Sequence, residues 1–197
     1  MIAHSSFPAP MSPEAYLAWE EQQDTRYEYI DGAIIAMVGG TIPHNDIAIN
    51  LLLALRSHLQ KRGCRVNMSD VKVRSPKQNR YFYPDLVVSC HPDDQQATKW
   101  IQHPKVMIEV LSPSTASYDR THKLRCYRQL PSLQEYLLIN TDQILVEMYQ
   151  RQSAEMWGYR DFESDDTLLI ASIDFACPVT VIYENVTLET LEEETAL

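Results

Sequence analysis

Apolar residues recur at helical spacing in three stretches of the chain. The spacing predicts helices over 12–23, 43–62 and 117–130. Ser12, followed by a proline, is typical of the start of the first helix, and Gly63 is typical of the end of the second. The second helix has the most regular apolar pattern of the three.

Alternating or continuously apolar runs predict strands between these helices. Two β-rich runs on either side of Asp31 and Gly32 predict a hairpin over 27–38. Polar residues predict a turn over 75–80 and a loop over 91–103. The other predicted strands are 64–74, 81–90, 105–111, 135–140, 144–150, 154–160 and 179–183. This order predicts an α/β fold, of α+β character, with a mixed sheet flanked by helices.

Length and composition favour one globular domain. The chain has 197 residues, of which 45% are hydrophobic and 22% are charged. We expect a flexible N-terminus over 1–11, a single domain over 12–188 and an acidic tail over 189–197.

The net charge of −10 excludes a uniformly basic coat for nucleic acid but leaves room for a local basic groove. Basic residues cluster on the third predicted helix and around the predicted turn at 75–80. They are Arg120, Arg125, Arg128, Lys72, Arg74, Lys77 and Arg80. The alternative is that they are ordinary solvated surface charges.

The cysteines and the N-terminus bear on where the protein resides. Cys64, Cys90, Cys126 and Cys177 are far apart and lack the spacing of zinc or thioredoxin-like sites. We expect free thiols that pack as small hydrophobic groups in a reducing compartment. The sequence shows no secretory signal and no apolar run of the ~20 residues that span a bilayer. These features predict a cytoplasmic protein without membrane contact.

A carboxylate lies inside each of two hydrophobic strands. Asp85 lies in the run Tyr83-Pro84-Asp85-Leu86-Val87-Val88, and Glu109 shares a face of its strand with Met107 and Leu111. An unpaired charge at such a position destabilises the folded state by roughly several kcal/mol. Each acid therefore needs a partner. If the two strands are neighbours, both carboxylates can bind one Mg²⁺ or Mn²⁺ ion. The alternative is that Arg or Lys residues of flanking helices form salt bridges with them.

Lys123 lies on the third predicted helix, on the same side as Asp119 and Tyr127. A lysine there could bind a scissile phosphate, orient an attacking water and stabilise developing charge. The alternative is an ordinary ion pair with Asp119, since the two residues are four positions apart.

These residues belong to a wider pattern that resembles the Uma-two family, which is placed among the restriction-endonuclease-like PD-(D/E)xK nucleases. The resemblance spans roughly residues 10–188. The matching motifs are Tyr27-Glu28-Tyr29-Ile30-Asp31-Gly32, His44, Pro84-Asp85, Ile108-Glu109-Val110-Leu111-Ser112-Pro113-Ser114-Thr115, Asp119-x-x-x-Lys123-x-x-x-Tyr127 and Ile182-Tyr183-Glu184-Asn185-Val186. It implies a restriction-endonuclease-like core.

The resemblance also implies roles for individual residues. Asp85 and Glu109 would bind Mg²⁺ or Mn²⁺, and Glu28 matches an additional acid of such sites. The usual lysine two residues after the glutamate is replaced here by Leu111, and the resemblance implies that Lys123 substitutes for it. His44 also matches the family pattern, although we expect it to be a helix cap or a packed core histidine.

The sequence therefore predicts a Mg²⁺-dependent endonuclease that hydrolyses nucleic acid, with DNA favoured. The catalytic residues would be Asp85, Glu109, Lys123 and Glu28. The alternative is a catalytically inactive protein of the same fold that binds nucleic acid or a protein partner, as Leu111 and the acidic charge suggest. We also expect a homodimer, which would cover exposed sheet edges of the C-terminal half.

Overall fold

A computed structural model of the protein describes residues 11–37, 39–75 and 79–189. The elements in these ranges are α1 (Pro13–Glu20), β1 (Tyr27–Ile30), β2 (Ala33–Ala36), α2 (Ile42–Leu59), β3 (Arg65–Met68), β4 (Lys72–Ser75), β5 (Arg80–Phe82), β6 (Leu86–Ser89), α3 (Pro92–Gln96), β7 (Trp100–Ile101), β8 (Val106–Val110), α4 (Ala116–Tyr118), a π-helical turn (Asp119–Lys123), α5 (Leu124–Tyr127), β9 (Glu135–Ile139), β10 (Val146–Arg151), β11 (Trp157–Phe162), β12 (Thr167–Ile170), a 3₁₀ turn (Ala171–Ile173), β13 (Phe175–Pro178) and α6 (Val179–Ile182). The fold is mixed α/β, which confirms the predicted class.

The larger sheet has six strands in the order β11-β10-β9-β8-β6-β3. Strands β8 and β9 are parallel, and the other neighbours are antiparallel. All five residues of β8 and of β9 are buried, since both faces of the sheet are covered. One face packs against α2, α6 and the β12–β13 hairpin. The other face packs against the smaller sheet and α5.

The smaller sheet has the order β2-β1-β5-β4-β7. Its β1–β2 hairpin turns at Asp31 and Gly32, whose φ angles of 53° and 92° match the left-handed backbone of a tight hairpin turn. Helix α1 covers this sheet through Tyr16, whose ring centroid lies 4.9 Å from that of Tyr29. The predicted hairpin is therefore confirmed.

Two predicted strands are each split between the two sheets. The predicted strand 64–74 becomes β3 and β4, which a turn at Ser69 separates, with φ at 31°. The predicted strand 81–90 becomes β5 and β6, which belong to different sheets on either side of Pro84. Pro84 lacks the N–H that a ladder requires, so pairing stops there and the chain crosses from one sheet to the other.

Other secondary-structure predictions were wrong. The predicted loop over 91–103 contains α3 and β7, and the predicted strand over 179–183 is the helix α6. Strands β12 and β13 were not predicted. The β-branched residues of α6 favour a strand locally, but Val179 and Ile182 are buried in the core that α2 also lines, so tertiary packing decides the conformation.

The cysteines are not all free. Cys64 and Cys90 form a disulfide between the start of β3 and the end of β6, next to the paired residues Arg65 and Ser89. The expectation of free thiols is wrong for this pair, because spacing along the chain did not show that these strands are neighbours. Cys126 and Cys177 are free and buried, as expected.

Within the described ranges, no helix is long and apolar enough to cross a membrane. The predicted flexible N-terminus over 1–11 lies outside the described residues except for its last residue, and the predicted acidic tail over 189–197 lies outside them except for Glu189. The domain limits and the cytoplasmic location stay predictions.

Candidate active site

Asp85 and Glu109 lie opposite each other across the β6–β8 pair. The register pairs Leu86 with Ile108, so the next positions along the two strands are Asp85 and Glu109. Oδ2 of Asp85 accepts a hydrogen bond of 2.8 Å from the backbone N–H of Val110. The two strands are neighbours, which is the condition for both carboxylates to bind one ion, and both acids line one cleft.

Lys123 reaches the same place from the segment that follows β8. It ends the π-helical turn, whose wider winding replaces ordinary α-helix between α4 and α5. The Lys123 Nζ lies 3.0 Å from Glu109 Oε1 and 3.3 Å from Asp119 Oδ1. Lys123 therefore forms an ion pair with Glu109 of β8. It also forms the ion pair with Asp119 that was the alternative from the sequence.

Glu28 comes to the site from the smaller sheet. It lies on β1, and its Oε1 is 3.5 Å from Lys123 Nζ. The same oxygen accepts a hydrogen bond of 3.0 Å from the backbone N–H of Tyr83, at the crossing between β5 and β6. The structure thus brings together all four predicted catalytic residues at the junction of the two sheets.

The charges in this cluster are almost completely removed from water. Glu28, Glu109 and Asp119 are each no more than 3% exposed, and Lys123 is 7% exposed. Burial raises the pKa of Glu109 well above its ordinary value, and although Lys123 opposes this, the neighbouring carboxylates add to it. Burial also raises the pKa of Glu28.

The pKa of Lys123 is raised, although burial alone would lower it. Burial alone lowers the pKa of Lys123, but the surrounding carboxylates of Glu109, Glu28 and Asp119 outweigh it and raise that pKa well above its usual range. Lys123 is therefore a cation at neutral pH.

Two residues that the sequence motif contained, but that we did not predict as site residues, complete the cluster. Asp119 lines the cleft and contacts Lys123, and no donor from the described residues hydrogen-bonds its buried Oδ1. The Tyr127 hydroxyl donates a hydrogen bond of 2.7 Å to Glu109 Oε1. Asp119 lies four residues before Lys123, and Tyr127 lies four residues after it, so all three share one side of the helix. This spacing could have identified both residues.

His44 lies in the site, contrary to the expectation of a cap or core histidine. The cap of α2 is Thr41, which accepts a hydrogen bond from the His44 N–H. The His44 ring is 3.2 Å from Asp85 Oδ2. Burial lowers the pKa of His44, but the hydrogen bond to Asp85 and the negative charges of Asp85, Glu189 and Asp119 together outweigh it and raise that pKa overall. A Cβ at Gly40 would lie 2.7 Å from His44 Nδ1, so glycine makes room for the ring.

These contacts combine the two alternatives left open by the sequence. Glu109 does pair with a lysine of a flanking helix, and that lysine is Lys123 itself. Asp85 pairs with a histidine and a backbone N–H instead of an Arg or Lys.

The donor set fits a hard divalent cation. Asp85 Oδ1 and Glu109 Oε2 accept no hydrogen bond from any described residue, and both side chains line a cleft of about 710 Å³ that opens to solvent. Carboxylate oxygens are the ligands that Mg²⁺ and Mn²⁺ prefer. Four acids face Lys123 and His44 in this cleft, so bound positive charge would offset an excess of negative charge.

Several of the basic residues that the sequence offered for a local groove are used inside the fold. Lys72 pairs with the buried Glu20 at 2.7 Å, and Arg120 forms a bidentate ion pair with Glu147. Arg80 pairs with Asp31, and the Arg74 guanidinium lies over the Trp100 ring at 5.2 Å. Tyr81 and Tyr83 are core residues, and Lys77 lies outside the described residues. Arg125 and Arg128 remain exposed.

Comparison with known proteins identifies relatives over most of the chain. A family model described as "Uma2: Putative restriction endonuclease" matches residues 13–180. "Uncharacterized protein slr1290" of Synechocystis sp. is 40% identical over 185 residues, which cover 93% of this chain and 97% of that protein. "Uncharacterized protein sll1609" of the same organism is 35% identical over 146 residues, covering 72% and 81% respectively.

A solved structure shows a shared fold. It is the crystal structure of "a putative nuclease belonging to DUF820" from Anabaena variabilis, which superposes with a TM-score of 0.73 at 19% identity. The match covers 88% of this chain and 98% of that one. Together with the family model, which spans most of the residues, these matches show that the chain belongs to the Uma2 family.

Proposed function

We propose that the protein is a Mg²⁺- or Mn²⁺-dependent endonuclease that hydrolyses phosphodiester bonds of nucleic acid, with DNA the favoured substrate. The observation that carries the proposal is the convergence of Asp85, Glu109, Glu28 and Lys123 in one cleft. The family description and the nuclease with the shared fold support it.

Each residue has a role that follows from its contacts. Asp85 and Glu109 would hold the cation through the oxygens that accept no hydrogen bond from the described residues. A bound cation of this kind lowers the pKa of a coordinated water and neutralises charge on a phosphate. Lys123 would donate N–H groups to the attacking water or to the phosphate oxygens. Glu28 keeps Lys123 in place, and Tyr127 orients Glu109 through its hydroxyl.

Leu111 is compatible with this assignment. It occupies the position of the usual lysine, is 3% exposed and packs in the core between the sheet and the helix. Lys123 brings an ammonium group to Glu109 from the helix instead. The lysine is therefore relocated and not lost, which favours an enzyme over an inactive binding protein.

The test is cleavage of plasmid and single-stranded DNA by the full chain with Mg²⁺ or Mn²⁺, and with EDTA. Asp85→Asn keeps the shape of the side chain and an acceptor for the Val110 N–H, so the fold should persist while the charge on a metal ligand is lost. Asp161→Asn on the exposed part of β11 is the matched control. We expect metal-dependent products from wild type and Asp161→Asn and none from Asp85→Asn.

Equal products from wild type and Asp85→Asn would overturn the enzyme assignment. Binding of DNA without cleavage by the wild type would support the inactive alternative.

The homodimer also remains a proposal, and light scattering that returns a mass near 22.7 kDa over a wide concentration range would contradict it.

A further inference from the structure

Arg125 and Arg128 lie on the solvent side of the helical segment whose inner side carries Lys123. Both are exposed, whereas their neighbours Cys126 and Tyr127 are buried. With Trp157 and Glu155 of the β10–β11 hairpin they line an open groove of about 850 Å³, here called the outer groove. The proposed catalytic residues do not line it.

Within the part of the chain that the structure describes, no carboxylate pairs with Arg125 or Arg128 of the outer groove. Among the described residues, no acid forms an ion pair with Arg125, and Arg128 contacts only the backbone carbonyl of Glu155, at 3.5 Å. Arg151 lies beside them and donates a hydrogen bond of 3.0 Å to the Arg128 carbonyl. Burial and the charge of Arg128 both lower the pKa of Arg151, which reflects mutual repulsion of the guanidinium groups.

Four of the described arginines form ion pairs with described acids, and the others, which include Arg125, Arg128, Arg151 and Arg160, do not. Arg62, Arg80 and Arg120 each pair with an acid. In a chain with a net charge of −10, adjacent arginines without acids form a local excess of positive charge. Such an excess binds polyanions, and phosphate contacts from arginine supply most of the affinity of proteins for nucleic-acid backbones.

Aromatic side chains border the same surface. Trp157 and Tyr159 lie two positions apart on β11 and therefore point to the same face of the sheet. One side of the Trp157 ring is covered by the Arg151 guanidinium, 4.5 Å from the ring centre, and Tyr159 is 54% exposed. Arginines next to exposed rings are typical of surfaces that bind single strands, because rings can stack only on unpaired bases.

We propose that the outer groove binds a single nucleic-acid strand beyond the scissile position, through phosphate contacts from Arg125 and Arg128 and stacking on Trp157 and Tyr159. The proposal rests on the proposed function, since it names the substrate of the same protein as a single strand. The helical segment connects the two sites: Ser114 lines the cleft and Arg128 lines the outer groove. Lys123 of the cleft and Arg125 of the outer groove are two positions apart on this segment and lie on its inner and outer sides, so the two sites are neighbours.

Among the described residues that line the outer groove, Glu155 is the one acid. Its carboxylate would repel phosphate, so Glu155→Gln should strengthen binding of a strand that occupies the groove. A gain of this kind cannot come from damage to the fold, and it therefore separates a direct effect of charge from misfolding.

The test is fluorescence anisotropy of labelled single-stranded DNA and RNA of the same sequence, with the full chain in EDTA so that no cleavage occurs. The double variant Arg125→Glu/Arg128→Glu should bind at least about tenfold more weakly, and its affinity should depend less steeply on salt. Glu155→Gln should bind more tightly. The DNA and RNA arms decide which sugar the strand carries.

Arg160→Glu is the matched control. Arg160 is also an exposed arginine of β11, but it alternates with Trp157 and Tyr159 and lies on the opposite face of the sheet. We expect its affinity to stay within about twofold of wild type. Unchanged binding in the double variant, equal loss in Arg160→Glu, or equally tight binding of labelled polyglutamate would each overturn the outer groove. None of these results affects the Asp85→Asn cleavage test, so the two proposals fail separately.

Discussion

The segment from 116 to 128 carries Lys123 on its inner side and Arg125 and Arg128 on its outer side, and of these three cations only Lys123 pairs with carboxylates of the described residues. On the inner side, Lys123 contacts three acids and is 7% exposed. On the outer side, Arg125 and Arg128 are exposed to water and pair with no described acid. The inner cation of this segment is thus surrounded by carboxylates, whereas its outer cations are surrounded by water.

The difference shows how solvent decides what a charge requires. A cation in water keeps its hydration and needs no partner, whereas a buried cation has lost that hydration and depends on the acids around it. Removal of the inner cation therefore leaves buried carboxylates uncompensated. Removal of an outer cation changes the surface potential and little else.

The largest expected effect is that of Lys123→Met, which would leave Glu28, Glu109 and Asp119 buried without their cation. We expect a loss of about 3–5 kcal/mol in the free energy of unfolding at neutral pH, measured by urea denaturation of the metal-free protein. A loss below about 1 kcal/mol would show that the inner charges are as well solvated as the outer ones.

A smaller loss is expected for Tyr127→Phe, which removes the hydroxyl that donates to Glu109. A hydrogen bond to a charged group contributes about 1.5–3 kcal/mol, and the phenyl ring would keep the packing of Tyr127 against Phe82. Urea denaturation also measures this change. If Tyr127→Phe were as stable as wild type, another donor must satisfy the Glu109 oxygen.

A pH-dependent effect should distinguish the inner acids from surface acids. Glu109 has a raised pKa in the folded protein, so from pH 4.5 up to that raised pKa the native state binds more protons than the unfolded state. Its contribution to stability therefore falls as pH rises through this window. Glu109→Gln removes that dependence, and its stability relative to wild type should increase with pH. A relative stability that decreased with pH would mean a lowered pKa for Glu109.

The smallest effect is expected on the outer side. Arg125→Met and Arg128→Met should each change the free energy of unfolding by less than about 0.5 kcal/mol, since neither side chain is buried or paired with a described acid. Thermal or urea denaturation at low and high salt measures it. A loss comparable to that of Lys123→Met would place these arginines in the structural framework of the protein.

Local patterns in the sequence indicated Asp85, Glu109 and Lys123, whereas Glu28 was implied only by the family resemblance, and Asp119 and Tyr127 were not predicted as site residues. The two-residue period of the strands placed Glu109 on one face, and the apolar runs indicated where Asp85 and Glu109 would be buried. The four-residue spacing placed Lys123 on the same helix side as Asp119. These local periods determine which way a side chain points. That direction indicated which residues could lie in one site.

The remaining features depend on how distant segments meet. His44 reaches Asp85 because the start of α2 lies near the start of β6, which no local pattern of either segment shows. The turn at Ser69 and the crossing at Pro84 each moved the chain between sheets within one predicted strand, and the helix α6 follows tertiary packing against the propensity of its residues. Contacts of this kind are set by topology, which periodicity does not contain.

The disulfide between Cys64 and Cys90 couples the stability of the fold to its chemical surroundings. It joins residues 26 positions apart in the chain, and that stretch contains β4, β5 and Asp85. Reduction would leave the native contacts in place but would free the unfolded chain to adopt many more conformations. On the chain-entropy model this costs about 3.5 kcal/mol. A strongly reducing solution would therefore lower the melting temperature of the protein, whereas an oxidising one would preserve the covalent link between β3 and β6.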